Sequence, residues 1–143
     1  MKISNSKAFY DYRILESFEA GIALNGAEVK AVRLGHVDLK GSYSRIIGSE
    51  AYLVNAKILP YSYARPEGYQ PTRTRKLLLH KTQILALKSK MDGQNLTLVP
   101  LSIYTTRRYI KLQLGLGKGK KQYQKREEIK QRDLDRELEQ EFK

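Results

Sequence analysis

The sequence predicts a mainly β domain in which many short antiparallel strands close, or nearly close, into a barrel. Three observations carry this. Apolar residues recur with period two in several stretches, and turn residues separate those stretches. Helical periodicity is confined to two short segments and a charged tail. The chain has 143 residues and no cysteine, so one apolar core must hold it, without disulfides or thiolate metal sites.

Taken in order, Met1 to Lys7 is polar and expected to be loose. Phe9 to Leu24 reads as extended. Tyr10, Tyr12 and Ile14 alternate with Asp11 and Arg13, and after a break near Glu16 the residues Phe18, Ala20, Ile22 and Leu24 share a face. Asn25 to Gly35 predicts a short helix. Asn25 can cap its first turn, Glu28 stands three residues on as in a capping box, and Gly35 suits the left-handed residue that ends it. Lys30 and Arg33 fall together on a face away from Val29 and Val32. That face is either ordinary solvated surface or a clamp for a phosphate chain.

Val37 to Ile58 predicts two strands joined at Gly48-Ser49-Glu50, with Tyr52, Val54, Ala56 and Ile58 on one face of the second. Tyr61 to Lys76 predicts a loop carrying Arg65, Arg73 and Arg75, of a length that is usually either functional or disordered. After the apolar run Leu77 to Leu79, His80 to Asp92 predicts a helix with Ile84, Leu87 and Met91 inward and Gly93 ending it. Leu96 to Tyr104 and Arg108 to Leu116 predict a final strand pair. Its turn falls at Thr105-Thr106-Arg107, and Pro100 marks a bulge or an edge. Lys111 and Gln113 face out. Five or six strands and two short helices in a basic chain suggest an antiparallel β-barrel of the oligonucleotide-binding type.

The charge is unevenly placed. The chain has 27 Lys and Arg against 15 Asp and Glu, a formal net charge of +12. Residues 1–126 hold 23 of the bases and 8 of the acids, whereas 127–143 holds 4 bases and 7 acids. Such an imbalance implies a polyanionic partner. It is densest in GLGKGKKQYQKR, residues 115–126, where Lys118, Lys120, Lys121, Lys125 and Arg126 surround Tyr123. Gly115, Gly117 and Gly119 there are expected to bare the backbone for close approach to a partner. The sequence divides into a β-barrel domain, 1–117, and a basic hinge with a C-terminal tail, 118–143. In the tail, Leu134, Leu138 and Phe142 form a thin apolar stripe, marginal as an isolated helix and suited to ordering on binding.

Enzyme chemistry finds no support. His36 and His80 are the only histidines, and each flanks a helix end. GLGKGKK fails the Walker pattern, with Leu114 in the place of the first glycine and Lys121 in the place of the magnesium-binding Ser or Thr. No metal-ligand spacing, cofactor motif, membrane span or secretory signal occurs. Glu19 stands apart, because a carboxylate beside an anionic partner must accept hydrogen bonds from a base edge or a neighbouring cation.

Five blocks occur in order: FEAGIALNGAEVKAVRLG, LKGSYSRI, PTRTRKLLLH, LTLVPLSIY and GKGKKQYQKRE. In these the sequence resembles the small protein B family, transfer-messenger RNA-binding proteins of bacterial ribosome rescue. The resemblance runs from Asn5 to Arg132. It implies an oligonucleotide-binding-type barrel with added helices and a tail that becomes helical in the message channel. It further implies a cytoplasmic, monomeric adaptor with no cofactor, which binds the tRNA-like domain of transfer-messenger RNA and the small-subunit decoding region. A general or ribosomal RNA-binding barrel is the alternative. By position, the resemblance implies RNA contacts at Asn5, Tyr12, Glu19, Lys30, Arg33, Lys76, Leu78 and Lys111. It implies ribosome contacts at Gly119, Lys120, Lys121, Tyr123, Lys125 and Arg126. Tyr123 stands where many members have histidine, and it can stack without carrying charge.

Overall fold

A computed structural model describes residues 1–60, 68–120, 126, 130, 132–134 and 136. In chain order its elements are β1 (Lys2–Ser4), α1 (Ser6–Asp11), β2 (Tyr12–Ile22), α2 (Gly26–Arg33), β3 (Val37–Asp38) and β4 (Tyr43–Ile47). These are followed by β5 (Glu50–Val54), β6 (Lys57–Ile58), β7 (Arg75–Leu78), α3 (Lys81–Met91), β8 (Leu96–Thr105) and β9 (Ile110–Gly119). Six strands form a closed antiparallel ring, β8-β4-β5-β7-β2-β9 and back to β8, and β3 and β6 form a separate pair. The mainly β barrel predicted from the alternation is the fold.

The ring closes unevenly. β2 and β9 pair from Tyr12↔Gly119 to Gly21↔Lys111, whereas β4 meets β8 through the single pair Ser44↔Leu98. β9 runs along the whole of β8, so its other edge is shared: β4 takes Leu98, and β1 takes Ser102 to Tyr104. The β8 run from Leu98 to Ile103 is buried throughout, as an apolar strand covered on both faces should be. Val99 and Leu101 pack with Ala8 of α1, while Leu98 packs with Leu87 of α3 and Leu116. The main core joins Ala20, Leu53, Leu77, Ile103, Leu112 and Leu114 to Ala31 and Val32 of α2.

Local signals performed well. Asn25 accepts from the Glu28 amide at 2.9 Å and the Glu28 side chain accepts from the Asn25 amide at 3.1 Å, the reciprocal cap. Gly35 has φ +81 and Gly93 has φ +69, both left-handed. The register slips between Ile14 and Glu16, at the expected break, and between Pro100 and Ser102, at the expected bulge.

Three expectations are corrected. Met1 to Lys7 is not loose: Ile3 pairs with Ile103, and the Asn5 amide donates to the Leu101 carbonyl at 2.8 Å. Phe9 to Asp11 is helical rather than extended: these residues complete α1, which docks on β8 through Ala8. Gly115 and Gly117 do not bare backbone for a partner; both are buried in β9. A Cβ on Gly115 would lie 2.9 Å from Leu101 Cδ1, and one on Gly117 would lie 3.0 Å from Tyr12 Cβ. They are glycines so that neighbouring side chains can cover the strand. β9 ends at Gly119.

Candidate RNA interface

The exposed face of the β2–β9–β8 sheet follows from strand parity. Glu19 pairs with Gln113 and Gly21 with Lys111, while Lys111 pairs with Tyr104 on β8. Successive residues on a strand alternate faces, so Glu19, Lys111 and Tyr104 share one side. Gly21 pairs with Leu78 of β7, and a Cβ on Gly21 would sit 3.0 Å from Leu78 Cβ. That missing methyl seats Leu78, whose side chain remains 55% exposed. The result is an open groove of about 510 Å³ whose lining includes Glu19, Lys76, Leu78, His80, Lys81 and Lys111.

Charge in this groove is held loosely. Lys76 Nζ lies 3.4 Å from Glu50 Oε2, with both side chains exposed. Lys111 Nζ sits over the Tyr109 ring, 5.5 Å from its centroid, a cation–π placement. Tyr104 donates its hydroxyl proton to Glu19 Oε2. That hydrogen bond, with burial and the Glu19 charge adding, pushes the Tyr104 phenol up to about 12. Glu19 is therefore a negative acceptor among cations, still exposed to a ligand that brings donors.

Lys30 and Arg33 project from the last turn of α2. Arg33 Nη1 donates to the Thr106 carbonyl at 2.9 Å and Nη2 to the Arg107 carbonyl at 3.4 Å, so α2 is hooked to the β8–β9 turn. Arg33 is neither free surface nor an open clamp.

Asn5 and Tyr12 lie elsewhere. Asn5 is buried, and its Nδ2 donates to the Pro100 carbonyl at 2.8 Å and to the Leu39 carbonyl at 3.2 Å, riveting the N-terminus to β8. Tyr12 is half-buried and packs with the Ala8, Val99 and Leu101 cluster. Tyr12 pairs with Gly119 and Gly21 with Lys111, so the strand length, about 25 Å, separates Tyr12 from the groove. The structure thus gathers Glu19, Lys76, Leu78 and Lys111 in one groove, brings Arg33 to the adjoining turn with Lys30 in the same last turn of α2, and leaves Asn5 and Tyr12 apart.

Gly119 and Lys120 mark the barrel's other end. The Lys120 amide donates to the Asp11 carbonyl at 2.9 Å, and Nζ donates to the Phe9 carbonyl at 2.9 Å. Arg126 is helical and exposed, as are Lys130, Arg132 to Leu134 and Arg136. Lys121, Tyr123, Lys125 and Arg65 lie outside the described residues, as do Leu138 and Phe142.

One cluster escaped sequence reasoning. Arg75, placed in a functional loop from its neighbours, is the first residue of β7 and is fully buried. Its Nε donates to Glu28 Oε2 at 2.7 Å, Nη1 to the Ala56 carbonyl at 2.7 Å and Nη2 to the Pro71 carbonyl at 3.0 Å. Arg73 pairs with Glu28 Oε1. Burial pushes the Glu28 carboxyl up, but the Arg73 hydrogen bond, the Asn25 amide and Arg75 outweigh it and hold it below its ordinary value. The available signal was parity: Arg75 stands two before Leu77, on the inward face. Among the described residues no His, Asp and Glu side chains converge as a metal-binding set, and no helix is long and apolar enough to cross a membrane.

A closed antiparallel barrel with a lysine-bearing groove and a basic stretch after its last strand defines a small basic β-barrel protein of the oligonucleotide-binding type. Comparison with known proteins makes this particular. The family model described as SmpB protein matches residues 2–143. An SsrA-binding protein of Carboxydothermus hydrogenoformans is 51% identical over 135 residues, covering 94% of this chain and 91% of that one. One from a Sulfurihydrogenibium species is 49% identical over 140 residues, covering 98% and 92%. A solved structure from "tmRNA-SmpB: a journey to the center of the bacterial ribosome" aligns with TM-score 0.71 and 48% identity over 85% of each chain. The chain belongs to the SmpB family.

Proposed function

We propose that this protein is an RNA-binding adaptor. It grips the tRNA-like domain of transfer-messenger RNA and delivers it to stalled ribosomes for trans-translation, so that incomplete proteins are tagged. The observation that carries this is family membership over residues 2–143, in a chain whose exposed groove is lined by Lys76, Lys81 and Lys111. The adaptor works in the cytoplasm as a monomer, without cofactor, and performs no chemistry of its own.

Within this reading the barrel domain, 1–117, holds the RNA and the segment 118–143 engages the ribosome. Lys76 and Lys111 neutralise phosphates, Leu78 offers an apolar seat to a base or ribose, and Glu19 accepts from a base edge or a 2′-hydroxyl. Lys30 and Arg33 extend the cationic surface, and Asn5 and Tyr12 support a second contact toward the other end of the barrel. Gly119, Lys120, Lys121, Tyr123, Lys125 and Arg126 form the ribosome-facing set. Cations at strand and helix ends give grip without sequence readout, so selectivity comes from the folded shape of the RNA.

RNA recovered with the protein from cells and sequenced should be dominated by transfer-messenger RNA. Unrelated duplex RNA at matched salt should compete poorly. Indifference between the two would reduce the protein to a general RNA binder. Deleting 127–143 should spare binding to the free RNA and abolish tagging on stalled ribosomes; full tagging by the truncated chain would remove the tail from the mechanism.

A further inference from the structure

The turn between β8 and β9 carries Thr106, Arg107, Arg108 and Tyr109, all exposed and none lining the groove. It is closed on itself: the Thr106 amide donates to the Tyr109 carbonyl at 2.9 Å, and the Tyr109 amide donates to Thr106 Oγ1 at 3.1 Å. Its second tie comes from α2, through the two Arg33 donors on the Thr106 and Arg107 carbonyls. Carbonyl oxygens fix a guanidinium without neutralising it. Arg33, Arg107 and Arg108 are therefore gathered at one corner, the turn itself contains no acid, and Lys30 is nearby on α2. Concentrating like charges costs energy unless a polyanion offsets the repulsion. Tyr109, 58% exposed, carries the Lys111 ammonium over its ring, and Lys111 lines the groove, so the corner continues the groove surface.

We propose that this turn is a second contact element for the same RNA, with Arg33 acting as its positioning residue. Arg107 and Arg108 hold phosphates of the strand leaving the groove, and Tyr109 stacks against a base. Arg33 fixes the turn through its two-pronged donation, a geometry a lysine ammonium does not reproduce. The inference rests on the RNA-binding reading above.

The test uses the full chain and the isolated tRNA-like domain of transfer-messenger RNA over a salt series. Replacing Arg107→Ala and Arg108→Ala together should lower the slope of log affinity against log salt by about 1.4 to 1.8, the loss of two phosphate contacts. Arg33→Lys keeps the charge but should weaken binding, and should speed amide exchange at Thr106 and Tyr109. In a background that lacks all three turn contacts, Arg107→Ala, Arg108→Ala and Tyr109→Ala, it should weaken binding no further. An unchanged slope in the double variant overturns the contact element. Full binding by Arg33→Lys overturns the positioning role. If Lys111→Ala weakens binding while the double variant does not, the turn is wrong and the adaptor reading stands. If the unsubstituted protein shows no preference for this RNA over unrelated duplex, the adaptor reading fails and the turn proposal with it.

Discussion

Glu28 and Glu19 are the same residue type in the same small domain, each beside cations, and they are built for opposite purposes. Glu28 is 1% exposed and receives donors from Asn25, Arg73 and Arg75, so both its oxygens are engaged inside the protein. Glu19 is exposed and accepts a hydrogen bond from the Tyr104 phenol. Arg75 and Lys111 divide in the same way. The first ties α2 and β7 together from inside, while the second rests on an aromatic ring at the surface. The difference teaches that burial and completeness of pairing, rather than charge, separate a structural ion pair from a binding group.

The largest effect should come from breaking the inner pair. Arg75→Leu leaves Glu28 buried beside Arg73 alone, and should cost about 3–5 kcal/mol of stability in urea unfolding. A loss below about 1 kcal/mol would mean Glu28 is already solvated.

Next comes the acid limb. Because the Glu28 pKa is lowered in the fold from its ordinary value of 4.5, its stabilisation is complete above 4.5 and disappears as pH falls through the lower folded value. Glu28→Gln should flatten the acid limb of stability against pH. Glu19→Gln should leave that limb as it is; equal flattening by both would erase the contrast.

A smaller change, confined to one group, is expected at high pH. Glu19→Gln should return the Tyr104 phenol from about 12 toward 10.0 in an ultraviolet titration. The raised phenol pKa means that its share of stability is complete below 10.0 and is lost as pH rises through about 12. A midpoint unmoved by the substitution would detach Glu19 from Tyr104.

The smallest effect on folding belongs to Lys76→Ala. Its ion pair with Glu50 is exposed, so stability should change by less than about 1 kcal/mol. The salt slope of RNA binding should nonetheless fall by about 0.7 to 0.9. A change in stability without a change in slope would make Lys76 structural.

What could be read in the sequence was what depends on near neighbours. The Asn25–Glu28 cap, the left-handed Gly35 and the alternation of Leu112, Leu114 and Leu116 with outward Lys111 and Gln113 are set within a few residues. What escaped depends on distant ones. β1 exists because Ile3 meets Ile103, and α1 because Ala8 meets Val99 and Leu101. Arg75 is internal because Glu28 waits 47 residues earlier. Glycines 115 and 117 suggested an approach to a ligand when the approaching groups were Leu101 and Tyr12. For the candidate site, Glu19, Lys76, Leu78 and Lys111 do share a groove, but Arg33's hold on the neighbouring turn had no local signature.

The single residue pair joining β4 to β8 has a practical consequence. A hoop fastened by one stitch gives way at that stitch, so brief breathing of the barrel should start at Ser44 and Leu98 while the long β2–β9 ladder stays shut. Among the described residues nothing pairs with the buried Ser44 hydroxyl, so its side chain adds no hydrogen bond to that join. Anyone wishing to toughen this molecule for handling should mend that spot first, since it is far cheaper to reinforce than the crowded interior.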